Sequence, residues 1–366
     1  MPMKKVLFML INMNVGGTEK AFLNMLPELL KSKWDVTILM LERYGGFLNY
    51  IPAEVHVKYL YGYENMKEIL NKPPKKVVSS ALKKVRLIKA VILSTLYLVS
   101  AVKKDRTVLY KYLMKKCRAD IGEYDVAVAF AGPMDFITYY VLNGVKAKRK
   151  VQWIHFDVTR IGFDKKFASK NYGKFDRIFT VSKEAGEKLA DMFPELRGKI
   201  REFLNIVSSD LIREMAQRGG GFSDNFDGIR ILTVGRLSKE KGQDITMPVL
   251  KKLRQKGYNV RWYCIGDGPD RKEYERLLKL YNIQDNYILL GTIPNPYPFM
   301  KQCSIYVQPS RHEGYCITLA EARCFNRPIV TTDFAGAREQ IAHEKTGLIV
   351  NCEEGQIFSA VKRLLD

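Results

Sequence analysis

The feature that most constrains the fold is a regular alternation of short apolar runs with segments of helical character. In the second half of the chain the apolar runs occupy residues 229–234, 260–265, 287–290, 304–308, 327–332 and 347–350. Each run is apolar at consecutive positions rather than at every second one, which indicates a strand that is buried on both faces. Such strands, alternating with helices, predict a parallel sheet that is covered by helices on both sides.

The first half of the chain repeats this pattern, with apolar runs at residues 5–10, 34–41, 124–130, 150–155, 177–182 and 199–204. A chain of 366 residues exceeds the usual size of a single core. The polar segment 208–228, with three consecutive glycines at 219–221, is the best candidate for a linker. The sequence therefore predicts an α/β fold of two Rossmann-like parallel-sheet domains, residues 1–205 and 206–366. The two domains are expected to face a cleft, with the ligand at the carboxyl ends of the strands.

The amino terminus has some features of a signal peptide, because Lys4 and Lys5 precede apolar residues. Its apolar run ends at Ile11, however, which is shorter than the roughly 7–15 residues of a secretory signal, and no small-residue cleavage site follows. No run approaches the roughly 18 apolar residues that a spanning helix needs. The six cysteines form no CxxC pair, so they are expected to be thiols in a reducing compartment. These features predict a cytoplasmic protein.

Positive charge is concentrated in one segment of the first half. The net charge of the chain is +21, and residues 72–118 contain 14 Lys or Arg residues and one acidic residue, Asp105. Apolar residues recur in this segment at helical steps of three and four, namely at Val77, Ala81, Val85, Ile88, Ile92, Leu96, Val99 and Val102. A basic block favours an anionic partner, and a basic amphipathic helix favours a membrane surface.

The residues expected to contact anionic lipid are Lys83, Lys84, Arg86 and Lys89. The alternative is that these helices pack on their own domain and leave the lysines in solvent. Nucleic acid is a weaker alternative, because the block has no recognition motif and few interleaved aromatic residues. The sequence thus predicts a protein that is peripheral on the inner face of the cell membrane, with no nucleic-acid partner.

The segment at residues 309–322, PSRHEGYCITLAEA, carries two carboxylates, Glu313 and Glu321. It follows an apolar run and opens a helical one, so Glu313 is expected on a strand-to-helix turn and Glu321 about one turn inside the helix. Unpaired backbone N–H groups at a helix start bind anions such as a diphosphate. Because carboxylates accept strong hydrogen bonds from hydroxyl groups, the arrangement suits a sugar at one end of a diphosphate and a ribose at the other.

Two further strand-to-helix turns carry residues that suit phosphate. Gly16 and Gly17 follow the first strand, and glycine lets the backbone approach a phosphate closely. The pattern is neither GxGxxG nor a Walker motif, which disfavours a dinucleotide or an ATP P-loop. The segment GRLSKEKG at residues 235–242 follows another strand, and its Arg236 and Lys241 can neutralise charge that develops on a diphosphate leaving group.

Other strand ends supply candidates with weaker patterns. His155 ends a strand of the first half, and Asp157 lies close to it with no assigned role. Turns that contain Gly266 and Pro294 follow strands of the second half. Such turns can offer backbone groups and apolar walls to a nucleotide base, although each one taken singly is equally consistent with an ordinary loop.

Together these residues resemble the retaining glycosyltransferases of family 4, which have the GT-B fold. The resemblance rests on His155 and on the segments GGTEK (16–20), GRLSKEKG (235–242), IGDGPD (265–270), SRHEGYCITLAEA (310–322) and NRPIVTTDFAGAREQI (326–341). It extends over nearly the whole chain, and its most specific part is the pair of glutamates with seven residues between them. The segment NPYP at residues 295–298 resembles members that build bacterial capsular polysaccharides or exopolysaccharides.

The resemblance implies a role for each candidate residue. Arg236 and Lys241 would hold the diphosphate and stabilise the leaving group. Glu313 would contact hydroxyls of the donor sugar, Glu321 would bind the ribose, and His155 would lie near the transferred sugar. The other donor-binding residues that the resemblance implies are Gly16, Gly17, Gly266, Pro294, Ser310, Gly314, Tyr315, Cys316 and Ile317.

The implied reaction transfers a hexose, with retention of configuration, from a UDP- or GDP-sugar to a lipid-linked saccharide in the synthesis of a cell-surface polysaccharide. No protein nucleophile or general base is implied. No cofactor or metal is expected, because cations and helix ends meet the phosphate charge. Two alternatives stay open, namely an inactive scaffold of the same fold at the membrane and a sugar-nucleotide epimerase.

The carboxyl end departs from the family pattern. Members of the family usually end in a further helical segment that crosses back onto the first domain, whereas this sequence stops at Asp366, directly after the helical residues 358–366. Either the crossover helix is absent or the chain is shortened, and both readings bear on domain closure.

Overall fold

The computed structural model describes residues 3–83, 87–103, 105–132, 134–156, 158–159, 164–334 and 336–366, and it leaves the side chains of residues 81–83 and 89 undescribed. The chain forms two compact units. The first comprises Met1–Asn14, Leu26–Thr180 and Gly186–Phe203. The second comprises Val15–Met25, Val181–Ala185 and Leu204–Asp366. Each unit is built around one parallel sheet.

The sheet of the first unit has seven strands. They are β1 (Lys4–Leu10), β2 (Trp34–Met40), β3 (His56–Tyr59), β4 (Glu123–Gly132), β5 (Lys146–Ile154), β6 (Arg177–Thr180) and β7 (Ile200–Glu202). Their order is β3-β2-β1-β4-β5-β6-β7, and each neighbouring pair is parallel. The last five residues of β1 and of β2 are buried, because helices cover both faces of these central strands.

The helices of the first half of the chain connect these strands. They are α1 (Gly17–Lys31), α2 (Glu64–Asn71), α3 (Pro74–Lys83), α4 (Leu87–Lys103), α5 (Thr107–Met114), α6 (Asp135–Gly144), α7 (Lys165–Asn171) and α8 (Lys183–Met192). Tyr110 of α5 lies edge-on against Phe136 of α6 and Phe167 of α7, with ring centroids 6.1 and 5.6 Å away. These three helices therefore share one aromatic core, and edge-to-face aromatic pairs favour this arrangement.

The start of α5 is fixed by a buried carboxylate. Asp105 accepts hydrogen bonds from the backbone N–H of Thr107 at 2.8 Å and from Lys170 Nζ at 2.6 Å. Burial alone would raise the pKa of Asp105, but these bonds outweigh burial and lower it to about 2. Asp105 thus holds the first residue of α5 and ties this helix to α7.

The basic segment at 72–118 contains α3, α4 and α5, and α4 packs differently from the predicted stripe. The side of α4 that faces the core is formed by Ala90, Leu93 and Ser100. Of the predicted stripe, Ile88 and Val102 are instead exposed to solvent, while Val85 lies outside the described residues. The reason is that α4 is apolar on nearly all sides, so its period does not identify the packing face.

The solvent side of α4 is itself apolar. Leu87, Ile88, Val91, Leu98 and Val102 are 60–79% exposed. Positions 87, 91, 98 and 102 recur at steps of four and seven, which places them along one stripe of the helix. No helix among the described residues has the length and apolar character needed to cross a bilayer. We refer to these five residues as the α4 stripe.

The sheet of the second unit has six strands, β8 (Ile229–Val234), β9 (Val260–Ile265), β10 (Tyr287–Gly291), β11 (Ile305–Gln308), β12 (Ile329–Thr332) and β13 (Leu348–Val350). Their order is β10-β9-β8-β11-β12-β13, again all parallel. The helices are α9 (Ser209–Met215), α10 (Gln243–Gln255), α11 (Arg271–Tyr281), α12 (Tyr297–Gln302), α13 (Ile317–Ala322), α14 (Ala337–Gln340) and α15 (Glu354–Leu365). A core lies on each face of the sheet, one around Trp262 and one around Tyr263.

The structure adds two elements to those predicted. All twelve predicted strands are present, and β3 is a thirteenth. The predicted linker at 208–228 contains helix α9, whose first turn is capped by the Ser208 hydroxyl. After α9, Asp224 binds Arg230, Arg261 and Tyr263, so this polar segment is attached to β8 and β9.

Candidate functional site

The strand order of the second unit marks a position for a ligand. Chain order reverses at β8, whose neighbours are β9 on one side and β11 on the other. The loops after β8 and β11, residues 235–242 and 309–316, leave the same edge of the sheet because the strands are parallel. In open α/β sheets, ligands bind outside the carboxyl ends of the strands at such a reversal.

These two loops are held tightly against each other. Gly242 has a φ of +73°, and a Cβ at this position would lie 2.0 Å from the carbonyl oxygen of Pro309, so only glycine fits. Arg311 makes a two-pronged ion pair with Asp244, both N–O distances being 2.7 Å. Its backbone N–H also donates to the carbonyl of Glu240 at 2.7 Å. Both predicted loops therefore form one rigid surface.

Lys241 and Glu313 meet at this surface. Lys241 Nζ lies 2.5 Å from Glu313 Oε1, and the side chains are 27% and 9% exposed. Burial alone would lower the pKa of Lys241, but the Glu313 carboxylate outweighs burial and raises it. Arg236, on the same loop as Lys241, is exposed and contributes its backbone carbonyl to a hydrogen bond with Gln243 Nε2 at 3.0 Å. The loop thus offers one exposed cation and one cation that is paired with a carboxylate.

A chain of buried hydrogen bonds supports Glu313. Ser310 Oγ donates to Glu313 Oε1 at 2.8 Å, and Gln308 Nε2 donates to Ser310 Oγ at 2.9 Å. Gln308 Oε1 accepts from the Tyr306 hydroxyl at 2.7 Å and from Thr318 Oγ1 at 3.2 Å. Ser310 was among the predicted residues, whereas Gln308 was not. Polar residues at 306, 308 and 310, within an otherwise apolar strand end, are the signal that could have revealed it.

The turn between Glu313 and helix α13 has an unusual backbone. Cys316 has a φ of +58°, a left-handed conformation that residues other than glycine and asparagine rarely adopt. Gln340 Nε2 donates to the carbonyl of Tyr315, and Ile317 begins α13. Gly314 is buried, and a Cβ added to Gly336 would lie 3.1 Å from the carbonyl oxygen of Gly314. These predicted residues are therefore brought together on one ordered turn.

Glu321 lies inside α13 and is buried, with 2% exposure. The Tyr297 hydroxyl donates to its Oε1 at 2.8 Å. Burial raises the pKa of Glu321, and Lys20 and the Tyr297 hydroxyl oppose that rise. Lys20 Nζ lies 4.9 Å from the centroid of the Tyr297 ring. Lys20 and Tyr297 were not assigned roles from the sequence, although both stand in segments that carried the resemblance.

The remaining predicted donor-binding residues lie on turns of the second unit. Gly17 begins α1, and a Cβ on Gly16 would lie 2.6 Å from Glu19 Oε2. Gly266 has a φ of +142°, and a Cβ there would lie 2.0 Å from the carbonyl oxygen of Gly235, so the turns after β9 and β8 approach each other closely. Pro294 is half-buried on the turn after β10.

His155 belongs to the first unit and follows β5. It is 7% exposed, and its ring lies parallel to Trp153 and edge-on to Phe130, with centroids 6.1 and 4.5 Å away. Burial lowers the pKa of His155 to about 3, and a hydrogen bond to the backbone of Phe130 only partly opposes this fall. The imidazole is therefore neutral at pH 7. Its Nε2 has no hydrogen-bond partner among the described residues.

Several predicted residues lie outside the part of the chain that the structure describes. These are Lys84, Arg86 and Asp157, and the side chains of Lys83 and Lys89 are likewise outside it. Within the described residues, no three His, Cys, Asp or Glu side chains are grouped in the way that a metal site requires.

Comparison with known proteins finds sequences and structures that are similar to this chain. Residues 224–366, which include both loops, match the family model described as Glycosyl transferases group 1. The chain is 30% identical over 185 residues to an uncharacterized glycosyltransferase of Methanocaldococcus jannaschii, a match that covers 48% of this chain and 45% of that protein.

A second relative is the N-acetylgalactosamine-N,N'-diacetylbacillosaminyl-diphospho-undecaprenol 4-alpha-N-acetylgalactosaminyltransferase of Campylobacter jejuni. It is 29% identical over 197 residues, which cover 53% of this chain and 52% of that enzyme. The chain thus spans about half the length of the curated relatives that it matches.

Among solved structures, the chain is similar to HepE of Anabaena in complex with UDP and glucose. The TM-score is 0.68 at 16% sequence identity, over 99% of this chain and 90% of that one. A likeness at this identity concerns the fold. It confirms the predicted fold class of two Rossmann-like parallel-sheet units of the GT-B type. The Lys241–Glu313 pair lies within the residues that match the model described as Glycosyl transferases group 1.

Proposed function

We propose that this protein is a glycosyltransferase that moves a hexose, with retention of configuration, from a UDP-sugar to a lipid-linked saccharide. The observation that carries the proposal is the Lys241–Glu313 pair at the strand reversal of the second unit. It combines a cation for a leaving diphosphate with a fixed carboxylate for sugar hydroxyls. The match of residues 224–366 to Glycosyl transferases group 1 supports this interpretation.

In the proposed site each group of the donor has a counterpart. Arg236 and Lys241 bind the diphosphate oxygens, since both are cations on the loop after β8. Glu313 accepts hydrogen bonds from the donor sugar, and Glu321 accepts them from the ribose. The similar solved structure, HepE of Anabaena in complex with UDP and glucose, favours a donor with a uridine nucleotide and a hexose.

The backbone turns complete the proposed donor site. Gly17 and the amides of Tyr315, Cys316 and Ile317 approach phosphate oxygens, with Gly16, Ser310 and Gly314 beside them. Gly266 and Pro294 line the nucleotide. No divalent metal is required, because cationic side chains supply the positive charge.

The proposed chemistry exchanges one bond at the anomeric carbon. The acceptor hydroxyl oxygen forms a bond to this carbon from the face that the leaving group departs from. The bond between the carbon and the β-phosphate oxygen breaks, and the acceptor proton moves to that oxygen. Lys241 and Arg236 stabilise the charge on the departing diphosphate. His155, with its neutral imidazole, is proposed to lie near the transferred sugar.

The acceptor is proposed to be a saccharide on a lipid diphosphate. The Campylobacter relative bears the name of an enzyme that acts on a diphospho-undecaprenol-linked sugar. Such an acceptor resides in a bilayer, so the transferase must work at a membrane surface. The polysaccharide under synthesis is proposed to be a capsule or an exopolysaccharide.

Membrane contact is proposed to occur through α3 and α4, on the cytoplasmic face. The α4 stripe exposes five large apolar residues on one helix, which is costly in water and favourable at the acyl boundary of a bilayer. The surrounding segment 72–118 is strongly basic, so anionic headgroups supply the complementary charge.

The experiment is turnover of a panel of UDP- and GDP-sugars by the full chain, with and without a membrane lipid extract. Glu313→Gln is compared with Asp285→Asn, a change at an exposed carboxylate of the same unit. We expect lipid-dependent release of one nucleotide, a loss of at least about 100-fold in Glu313→Gln and none in Asp285→Asn. The anomeric configuration of the product is read by NMR.

Each alternative gives a different result in this panel. Conversion of a nucleotide sugar without an acceptor would identify an epimerase. Absence of both donor binding and turnover would identify a scaffold. An inverted product would contradict retention while leaving the transferase activity intact.

A further inference from the structure

Gln308 is the last residue of β11 and is 1% exposed. A buried carboxamide is costly unless both of its ends are hydrogen-bonded. Its Oε1 accepts from Tyr306 at 2.7 Å and from Thr318 at 3.2 Å, and its Nε2 donates to Ser310 Oγ at 2.9 Å. The amide is thus satisfied at both ends within the second unit, directly beneath the loop that carries Glu313.

The direction of these hydrogen bonds follows from the chemistry of the groups. An ionised Glu313 carboxylate can only accept, so the single proton of the Ser310 hydroxyl is donated to Glu313 Oε1, 2.8 Å away. The Ser310 oxygen is then left to accept from another neighbour. Gln308 Nε2, which can only donate, is that neighbour. Gln308 therefore supports Ser310 in the orientation in which it serves Glu313.

One oxygen of Glu313 is fully used by this arrangement. Oε1 accepts hydrogen bonds from Ser310 Oγ at 2.8 Å and from Lys241 Nζ at 2.5 Å. Oε2 receives no hydrogen bond from any group in the described part of the chain. Two donors on one oxygen fix the rotation of the carboxylate and leave the other oxygen for a ligand.

We infer that Gln308 is a positioning residue for recognition of the donor sugar. Through Ser310 it holds the Glu313 carboxylate so that Oε2 accepts a hydrogen bond from a sugar hydroxyl. Gln308 itself touches no substrate. The inference rests on the proposed function, in which Glu313 contacts the sugar and not the nucleotide.

Two substitutions test this role in the full chain. Gln308→Met keeps the length of the side chain and removes both hydrogen-bonding ends. Gln308→Glu keeps the shape but replaces the donor by an acceptor that competes with Glu313 for the Ser310 proton. The matched control is Thr331→Val, which removes a buried hydroxyl on the neighbouring strand that donates to the backbone carbonyls of Gln308 and Thr332.

The first readout separates the sugar from the nucleotide. For Gln308→Met we expect kcat/KM for the UDP-sugar to fall roughly 10- to 100-fold, the range for loss of one hydrogen bond to a charged group. The Kd for UDP alone should change less than about twofold, since UDP lacks the sugar. Thr331→Val should leave both values within about twofold. Equal losses for UDP and UDP-sugar would overturn the inference, because a general structural defect would weaken both.

The second readout is a pH profile. A neutral carboxyl group can donate a proton to Ser310 as the amide does, whereas a carboxylate cannot. The kcat/KM of Gln308→Glu, relative to the unmodified protein, should therefore rise as the pH is lowered. Gln308→Met should show no such recovery. A constant ratio across pH for Gln308→Glu would contradict the role assigned to the Nε2 proton.

Failure of the proposed function is distinguishable from failure of this inference. If the unmodified chain binds and converts no nucleotide sugar, the transferase proposal falls, and crystal structures of the unmodified chain and of Gln308→Met then judge the positioning role. Loss of the contact between Ser310 Oγ and Glu313 Oε1 in the variant alone would support it. An unchanged contact in both structures would overturn it.

Discussion

The Lys241 Nζ and Glu313 Oε1 atoms lie 2.5 Å apart, although the two residues are 72 positions apart in the sequence. The pair forms because β8 and β11 are neighbours at the strand reversal, so the loops that follow them leave the sheet side by side. Each charge is partly removed from water, and the Glu313 carboxylate helps to raise the pKa of Lys241. In the proposed reaction the cation meets the diphosphate and the carboxylate meets the sugar, so the pair couples recognition of both halves of the donor.

Lys241→Met should therefore affect both stability and activity. The change leaves the nearly buried Glu313 carboxylate without its cation, which we expect to lower the free energy of unfolding by about 1–3 kcal/mol. Loss of leaving-group stabilisation should lower kcat/KM by at least about 100-fold. Urea unfolding and steady-state kinetics measure the two effects. Lys239→Met, at an exposed lysine of the same loop, is the control, and equal effects of both substitutions would contradict the pairing.

Cys316 stores backbone strain at the turn before α13. A non-glycine residue with φ near +60° costs about 1–2 kcal/mol relative to glycine, since its Cβ crowds the following carbonyl. Cys316→Gly and Cys316→Ala both remove the buried thiol, so they differ mainly in this strain. We expect Cys316→Gly to be the more stable by about 1 kcal/mol in chemical unfolding. A more stable Cys316→Ala would show that this backbone conformation carries no penalty.

Chelation of divalent metal should leave turnover unchanged. The proposed diphosphate site is built from cationic side chains, of which Arg236 is exposed and free to meet a phosphate. Turnover in EDTA at constant ionic strength is the measurement, with Arg236→Ala as the comparison that should lower kcat/KM. Activity that is lost in EDTA and restored by Mg²⁺ would contradict this prediction.

Most of the fold could be read from the sequence because its central strands are buried on both faces. A continuous apolar run of four to eight residues is visible without any knowledge of the partner strand. Strand β3 was missed because its first two residues, His56 and Val57, are exposed and form no such run. Helix α9 was missed because it spans only seven residues within a polar segment.

The site was only partly predictable for a related reason. The E-x7-E segment and the GRLSKEKG loop are local patterns, so both could be found. The contact of Lys241 with Glu313 depends on which strands are neighbours, which no local pattern contains. The role of Gln308 depends on the partners of one buried amide. The packing side of α4 could not be predicted, because the helix is apolar nearly all round.

The Asp105 carboxylate should make the first unit sensitive to acid. Its pKa of about 2 is below the usual 3.8 of an aspartate, so its stabilisation is complete above pH 3.8 and is lost as the pH falls towards 2. We expect this loss to be about 1–2 kcal/mol, because the exposed Lys170 ammonium is partly screened by solvent. Asp105→Asn should remove this part of the pH dependence of urea unfolding, whereas Asp191→Asn, at an exposed ion pair, should not.

The α4 stripe should determine binding to membranes. Val91→Ser, Leu98→Ser and Val102→Ser together remove apolar side chains that would insert at the acyl boundary, at about 1 kcal/mol or more for each side chain. In co-sedimentation with vesicles of anionic phospholipid, we expect the triple variant to remain largely in the supernatant. Leu280→Ser is the matched control, since Leu280 is 64% exposed on a helix of the other unit.

The basic residues of the same segment should act through charge instead. Joint substitution of Lys83, Lys84, Arg86 and Lys89 by Gln should weaken binding to anionic vesicles and make the residual binding insensitive to salt. The apolar triple variant should instead lose binding at every salt concentration, because insertion of the stripe does not depend on ionic strength. Unchanged sedimentation of both variants would contradict membrane contact through α3 and α4. An equal loss in Leu280→Ser would show that the effect of the triple variant is not specific to the α4 stripe.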